Sequence, residues 1–117
     1  MISLMAQAAP DLALLLGALA DPTRLHAVEL LSSRPRRAGE LADELGVSPP
    51  AMSKHLRVLL KVGIVADERL PEDARARVFR LRPDSVVAVQ AWLDQLQAQW
   101  DEQLGSFRAH LEGRIKQ

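Results

Sequence analysis

Residues 37–63 read RAGELADELGVSPPAMSKHLRVLLKVG, and the residues that interrupt this stretch predict a helix, a tight turn and a second helix. Gly46 supplies the left-handed backbone conformation that ends a helix, and Ser48 can cap the free N–H groups of the helix that follows. Pro49 then stands at the first helical position, where its missing N–H costs nothing, and Pro50 is tolerated beside it. The start of the second helix is therefore sharply defined.

The two faces of this second helix, 49–62, differ in chemistry. Its apolar residues recur at helical spacing and are expected to pack on the first helix, 40–45; they are Met52, Leu56, Leu59 and Leu60. The opposite face offers three cations, a hydroxyl group and no acid. By default such a face is a solvated basic surface, but the preceding helix, the glycine turn and the cap favour DNA binding.

A helix in a DNA major groove needs N-terminal side chains for base edges and long cations for phosphates. The candidate DNA-binding residues of this segment are Ser48, Pro50, Ser53, Lys54, His55, Arg57 and Lys61. Ser53 and Lys54 are the expected base readers, since a lysine can donate to guanine O6 or N7. His55 lies on the flank of the helix, where it either touches DNA or packs against the turn, and packing is slightly favoured.

Three segments of the chain resemble the ArsR/SmtB-type winged helix-turn-helix repressors. They are ALADPTRLHAVELL at 18–31, GELADELGVSPPAMSKHLRVLLKVGIV at 39–65 and VFRL at 78–81. The order and spacing of the DPTR and S-x-x-x-x-S-x-H-L patterns carry the resemblance, which spans roughly 12–81. It implies a dimeric, operator-binding repressor that a metal ion or another signal commonly releases. Where the family often has Gln and another polar residue, this chain has Pro49 and Pro50, so the operator sequence stays open.

Two helices are expected before the helix-turn-helix. Pro10 or Asp11 opens the first, whose apolar stripe is Leu12, Leu15, Leu16 and Leu19. Asp21 caps the second, which has Pro22 at its first position, runs to about Ser32 and should turn Leu25, Val28 and Leu31 inward. His26 in this helix is a lone histidine beside core positions, which is more often a structural residue than a ligand.

Basic residues on both sides of the helix-turn-helix are further candidates for DNA contact. Arg36 and Arg37 belong to a basic loop that can meet a phosphate, although solvated loop arginines are an equal alternative. After Gly63, strands at 67–70 and 77–81 around a turn at 71–74 predict a two-stranded wing. Arg75 and Arg77 flank its tip and can reach a minor groove, or they pair with the acids at the tip, Glu72 and Asp73.

The last segment predicts a long amphipathic helix over 84–113, capped by Asp84. Its apolar residues recur at steps of three and four: Val86, Val89, Leu93, Leu96, Trp100, Leu104, Phe107 and Leu111. About 30 residues of helix extend ~45 Å, so a domain of this size cannot bury the whole apolar side of the helix by itself. A second copy of the chain is expected to bury it. Gly105 and Ser106 can kink or split this helix. The expected dimer interface comprises Leu12, Leu16, Val89, Leu93, Leu96, Trp100, Leu104 and Phe107, and its two-fold axis would place two recognition helices in successive major grooves.

Composition bounds the fold and the partners. A chain of 117 residues, 48% of them apolar, fits a single domain, 1–117. The expected fold is mainly α with a two-stranded β wing. Its parts include a helix-turn-helix at 38–63, a wing at 64–82 and the C-terminal helix. The net charge is zero, yet residues 34–82 hold 11 Lys and Arg against 7 Asp and Glu. Local positive charge is sufficient for DNA binding, with marked salt dependence.

Several classes of site are not expected. No Cys is present, which excludes thiolate metal sites. In the family that the chain resembles, the carboxylate–histidine site needs two histidines on the last helix, where this chain has His110 alone. We therefore expect no metal and no cofactor, although His110 from two subunits could bridge an ion. Trp92 and Trp100 either line a ligand pocket or, as favoured, belong to the dimer seam.

A DNA-binding regulator in the cytoplasm is the function that the sequence supports best. The chain lacks a catalytic cluster, so we do not expect an enzyme. Its apolar run at 12–20 is too short to span a bilayer, so no membrane partner is expected. The expected partners are double-stranded operator DNA and a second copy of the chain, and the effector is unknown. The alternative is a winged helix module for protein interaction that has lost DNA binding, which would suit the acidic wing tip.

Overall fold

The structure is a computed structural model that describes residues 11–116. Within that range the chain forms five α-helices and one three-stranded sheet. The elements in order are α1 (Leu12–Leu19), α2 (Pro22–Ser33), β1 (Arg36–Arg37), α3 (Ala38–Leu45), α4 (Pro49–Lys61), β2 (Val65–Leu70), β3 (Asp73–Leu81) and α5 (Pro83–Lys116). Pro10, one of the two residues predicted to open the first helix, lies outside the described residues.

Side-chain caps start three of these helices where the sequence predicts them. The Asp11 carboxylate accepts the Leu14 N–H at 3.3 Å, the Asp21 carboxylate accepts the Arg24 N–H at 3.1 Å, and the Ser48 hydroxyl accepts the Ala51 N–H at 3.3 Å. Each bond satisfies an N–H that has no partner inside its helix. Gly46 ends α3 at φ 67°, in the left-handed region, which confirms the predicted turn between α3 and α4.

The core forms where α1, α2, α3, α4 and the sheet meet. The predicted packing of α4 on α3 is confirmed, because Met52, Leu56 and Leu59 are buried against Leu41 and Ala42. The remaining buried members are Leu15, Ala18, Ala27, Leu31, Ile64, Val65 and Phe79.

One of the core positions expected on α2 is wrong. Leu25 is 40% exposed, whereas Leu31 is buried as predicted, Val28 packs half-buried against the core, and α2 also buries Ala27. Two residues along a helix are about 200° apart around its axis, so Leu25 cannot share a face with Ala27. The spacing of the large apolar residues alone does not reveal that Ala27 is the buried position.

The sheet contains one strand more than the predicted wing. β2 and β3 form the antiparallel hairpin, with Val65 opposite Leu81, and β1 pairs on the other side of β3. β2 ends at Leu70 as predicted, whereas β3 begins at Asp73, nearer the tip than the predicted strand at 77–81, so the turn shortens to 71–72. The register is irregular between Arg69 and Leu70. β1 has two residues, which is too short to show strand periodicity in a sequence.

Helix α5 extends well beyond this body. It is one continuous α-helix of 34 residues, about 51 Å long at 1.5 Å per residue. It stays helical through Gly105 and Ser106, the two residues at which the sequence allows a kink or a split. The radius of gyration is 20.2 Å, against about 13 Å for a compact domain of this length.

The predicted Asp84 cap of α5 is wrong. The helix begins one residue earlier, at Pro83, and Asp84 lies in the first turn. Its carboxylate is 3.5 Å from Nη2 of Arg82, and the Ser85 hydroxyl donates to the Arg82 carbonyl at 2.9 Å. Proline at the first helical position explains the earlier start. No helix in the range 11–116 is both long and apolar enough to cross a membrane.

Candidate nucleic-acid interface

Helix α4 presents one fully buried face and one exposed polar face. Met52, Leu56 and Leu59 are 0%, 2% and 0% exposed, so this face of the helix is turned toward the core. The exposed face carries Ser48, Pro50, Ser53, Lys54, Arg57 and Lys61. None of the three cations on this face forms an ion pair within residues 11–116, so all three are free to meet phosphates.

An open cleft of about 570 Å³ separates α4 from the wing. Its floor is apolar, with Leu56, Leu60 and Phe79, and its rim brings together four arginines from three elements: Arg37, Arg57, Arg75 and Arg77. Asp73 is the single acid among the described lining residues. Its carboxylate accepts the Arg75 backbone N–H at 3.0 Å, so part of its hydrogen-bonding capacity is already used. The cleft thus presents local positive charge beside the exposed face of α4.

Arg77 is held on the side of the wing and not at its tip. Its Nε and Nη2 lie 2.9 and 2.5 Å from Asp67 Oδ2, and its guanidinium lies 5.2 Å from the centre of the Phe79 ring. The tip acids were the predicted alternative partners of Arg77, and its observed partner is Asp67 on the neighbouring strand. In the register of the hairpin Asp67 stands opposite Phe79, so its contact with Arg77 runs diagonally across the two strands.

Arg36 is not available to DNA, which contradicts its assignment as a candidate contact. The residue is 9% exposed, its Nη1 pairs with the Glu44 carboxylate, and its Nη2 is 3.2 Å from the Ser33 hydroxyl. Neighbouring residues of a strand point to opposite faces, so the pairing of β1 with β3 turns Arg36 inward and Arg37 outward. Arg36 therefore links the end of α2 to α3, and only Arg37 remains at the cleft.

Glu40 also organises the start of α3. Its Oε1 accepts the Arg37 backbone N–H at 3.2 Å, and its Oε2 is 3.0 Å from Arg34 Nη2. The backbone hydrogen bond from Arg37, followed by the bond from Arg34, holds the pKa of the Glu40 carboxyl below its usual value of 4.5. A second arginine of the predicted basic loop is thus engaged by α3.

His55 faces the protein and not the outer surface of α4. It is half-buried, with Nδ1 3.3 Å from Arg24 Nη1 and 3.9 Å from Asp21 Oδ1. The predicted alternatives were DNA contact and packing against the turn. The structure shows packing, against the first turn of α2. His26, expected to be structural, is exposed.

A row of exposed apolar side chains follows α5 away from the body. Trp100 and Phe107 are 57% and 61% exposed, and the same row contains Leu93, Leu96, Leu104 and Leu111. Val89 at its base is half-buried against the core, Leu12 of α1 is half-buried, and Leu16 is exposed. Contiguous apolar surface of this extent marks an interaction site.

Across the described part of the chain, no three His, Asp or Glu residues group in a way that could hold a metal ion.

A helix-turn-helix with an exposed basic second helix, followed by a β hairpin, defines a winged helix DNA-binding protein. Residues 21–67 match the family described as "Bacterial regulatory protein, arsR family". The chain is 45% identical over 78 residues to the HTH-type transcriptional regulator Rv2034 of Mycobacterium tuberculosis, covering 67% of this chain and 70% of that protein.

Two further relatives agree with this match. The transcriptional repressor SdpR of Bacillus subtilis is 35% identical over 52 residues, covering 44% of this chain and 58% of SdpR. A solved structure of an ArsR-like transcriptional regulator from Rhodococcus sp. RHA1 superposes with a TM-score of 0.70 at 29% identity, covering 82% of this chain and 88% of that one. The chain belongs to the ArsR family. It is a DNA-binding transcriptional regulator and not an enzyme, as its sequence predicts.

Proposed function

We propose that two copies of this chain join through α1 and α5 and bind an inverted-repeat operator as a repressor. The observation that carries this proposal is the exposed face of α4, where Ser53, Lys54 and Arg57 point away from a fully buried apolar face. A helix held in this way can enter a major groove without losing any core contact. Repression follows because a dimer on such an operator obstructs transcription of the gene beside it.

Each exposed residue of α4 has a role in this proposal. Ser53 and Lys54, near the N-terminus of the helix, read base edges, with Lys54 donating to guanine O6 or N7. Arg57 and Lys61 neutralise phosphates, and Ser48 and Pro50 lie close to the sugar–phosphate backbone where the helix enters the groove.

The cleft between α4 and the wing extends this surface. Arg37, Arg57, Arg75 and Arg77 surround it, so a strand of the duplex passing over the cleft would place phosphates near all four. Arg77 is held in place by Asp67, and Arg75 is the nearer of the two wing arginines to the tip. We therefore assign Arg75 and Arg77 to the minor groove that adjoins the major groove entered by α4, or to the phosphates of that minor groove.

The apolar row on α5 supports the two-fold assembly. The expected interface combines Leu93, Leu96, Trp100, Leu104 and Phe107 with Leu16 and the partly covered Leu12 and Val89. A second copy of α5 covers this row with side chains of the same kind, as a two-fold interface requires. Two α4 helices then reach successive major grooves, about 34–36 Å apart.

We place this regulator in the cytoplasm, where its proposed DNA partner is. The absence of Cys excludes thiolate coordination, and α5 holds one histidine, His110, among the residues described. We therefore propose a signal other than a thiolate-bound metal for release from the operator.

A gel-shift experiment tests the proposal directly. The probe is a duplex from immediately upstream of the gene for this chain, since repressors of this kind often control their own operon, and the control is a scrambled duplex of equal length and composition. We expect tight binding to the upstream duplex alone, with two protein copies per site by sedimentation. Equal binding to both duplexes, or no binding to either, would refute the operator proposal. The latter result would favour the protein-interaction module.

A further inference from the structure

Arg24 connects three helices at the first turn of α2. Its backbone N–H donates to Asp21 Oδ1, its Nε donates to the Ala18 carbonyl of α1 at 2.7 Å, and its Nη1 lies 3.3 Å from His55 Nδ1 of α4. Arg24 and His55 are both half-buried, and Ala18 is buried. One side chain therefore contacts both the helix assigned to the dimer interface and the helix assigned to the major groove.

The contact with α1 satisfies a group that this helix leaves without a partner. Ala18 lies in the last turn of α1, and the final four carbonyls of a helix have no acceptor role within it. A guanidinium donor makes a charge-assisted bond to such a carbonyl, and the 2.7 Å distance is in the range of strong bonds of this kind. Because the guanidinium is planar and rigid, fixing Nε also fixes the direction in which Nη1 points.

The contact with α4 falls among the residues assigned to DNA. Arginine donates and cannot accept, so in a hydrogen bond at this contact Nδ1 of His55 is the acceptor. His55 directly follows Lys54 and stands two positions before Arg57. His55 lies on the flank of α4, between its buried face and its exposed face. The contact of Arg24 with His55 therefore restrains the rotation of α4 about its axis at the level of the proposed DNA contacts.

We propose that Arg24 is a positioning residue for DNA binding, which sets the orientation of α4 relative to α1 by bridging the Ala18 carbonyl and His55. This inference rests on the proposed function, in which α1 belongs to the dimer interface and α4 enters the groove. Two copies of α4 must fit two grooves at once, so a rotation of α4 against α1 misplaces both half-sites together. Arg24 acts through His55 and does not itself touch the duplex.

Variants of both partners test this role on the full-length dimer. Arg24→Lys keeps the charge but loses the planar fork, and Arg24→Gln loses both; each is expected to weaken binding to the upstream duplex about tenfold, the effect of losing one hydrogen bond to a charged group. His55→Ala is expected to match that loss. His55→Asn retains an acceptor near the position of Nδ1 and is expected to bind close to wild type.

A double-variant cycle separates positioning from independent effects. The pair Arg24→Gln and His55→Ala should lose no more affinity than either single variant, since both remove the same contact. Arg82→Gln is the control for loss of one positive charge, because Arg82 is an exposed arginine that lies 3.5 Å from Asp84 and outside the proposed DNA surface. Affinity is measured at a temperature where circular dichroism shows every variant folded, together with the dimer dissociation constant.

The possible outcomes distinguish this inference from the proposed function. Losses that simply add in the cycle would overturn the positioning role. So would variants with a lower unfolding midpoint whose folded dimers bind like wild type, because Arg24 would then only stabilise the fold. If wild type itself fails to prefer the upstream duplex, the operator proposal fails and the positioning role fails with it. If wild type prefers that duplex and the Arg24 variants match it, only the positioning role is lost.

Discussion

Removing Lys54 and removing Arg57 should have different consequences for DNA binding. Both side chains lie on the exposed face of α4 and form no ion pair or hydrogen bond within the described residues. Truncating either to alanine therefore breaks no internal contact, and the free energy of unfolding should change by less than about 0.5 kcal/mol. Any loss of affinity can then be assigned to the interface with DNA.

The magnitudes follow from the proposed contacts. A lysine that donates to a guanine edge contributes about 1–3 kcal/mol of discrimination, so Lys54→Ala should lose that amount per half-site on the operator and little on scrambled DNA. Arg57→Ala removes one phosphate contact per protomer, hence about two per dimer. The slope of log affinity against log salt should then flatten by roughly 1.8, with similar losses on both duplexes.

Fluorescence anisotropy with labelled duplexes over roughly 50–200 mM salt measures both effects. Arg82→Ala serves as the charge-matched control and should leave discrimination unchanged. The reasoning is refuted if the two variants lose equal affinity on both duplexes, because neither residue could then be separated as a base reader or a phosphate contact. An unchanged salt slope for Arg57→Ala would refute the phosphate assignment alone.

Three further predictions concern assembly and stability. Trp100→Glu places a charge in the exposed apolar row of α5 and should convert the dimer to monomers that keep the helical circular dichroism signal, as sedimentation velocity would reveal; an intact dimer would exclude α5 from the interface. The pKa of Asp21 lies below its usual value of 3.8, chiefly because its carboxylate accepts the Arg24 N–H, so folding favours the ionised form. This stabilisation is complete above about pH 3.8 and is lost as the pH falls through the lower pKa of the folded state. Asp21→Asn, which still caps the helix, should therefore show a weaker loss of unfolding free energy during acid titration than wild type, and parallel titrations would contradict the assignment. Gly46→Ala should lower the unfolding free energy by ~1–2 kcal/mol in urea, since φ is 67° there, whereas Gly39→Ala inside α3 should be neutral or stabilising; a Cβ meets nothing within 4 Å at either site, so equal effects would refute a purely conformational cause.

The helix-turn-helix was predictable because local chemistry determines it. Ser48, Pro49 and Gly46 act on their own neighbours in the chain, so no tertiary information is needed to place the turn or the start of α4. The inward face of α4 follows equally from its helical period. The same holds for Asp11 and Asp21, whose caps precede apolar runs.

Features that depend on distant residues were not predictable. Arg36 belongs to a basic loop in the sequence, and only the pairing of β1 with Phe79 and Val78 of the wing shows that it points inward. The contact between Arg24 and His55 joins residues 31 positions apart. The DPTR pattern did contain Arg24, but an arginine in a helical first turn gives no sign of which distant side chain it meets. The structure therefore removes Arg36 from the candidate DNA surface and turns His55 toward the first turn of α2.

Helix α5 carries both tryptophans of the chain, and the chain contains no tyrosine. Intrinsic emission therefore originates from this one helix, beside the row that a second copy is proposed to cover. Burial of Trp92 and Trp100 shifts their emission to shorter wavelength, so dilution of the unlabelled protein would report subunit exchange without any engineered probe. The same emission change would reveal a small molecule that weakens the dimer. Tryptophan fluorescence from α5 can therefore be used to screen for the unknown effector.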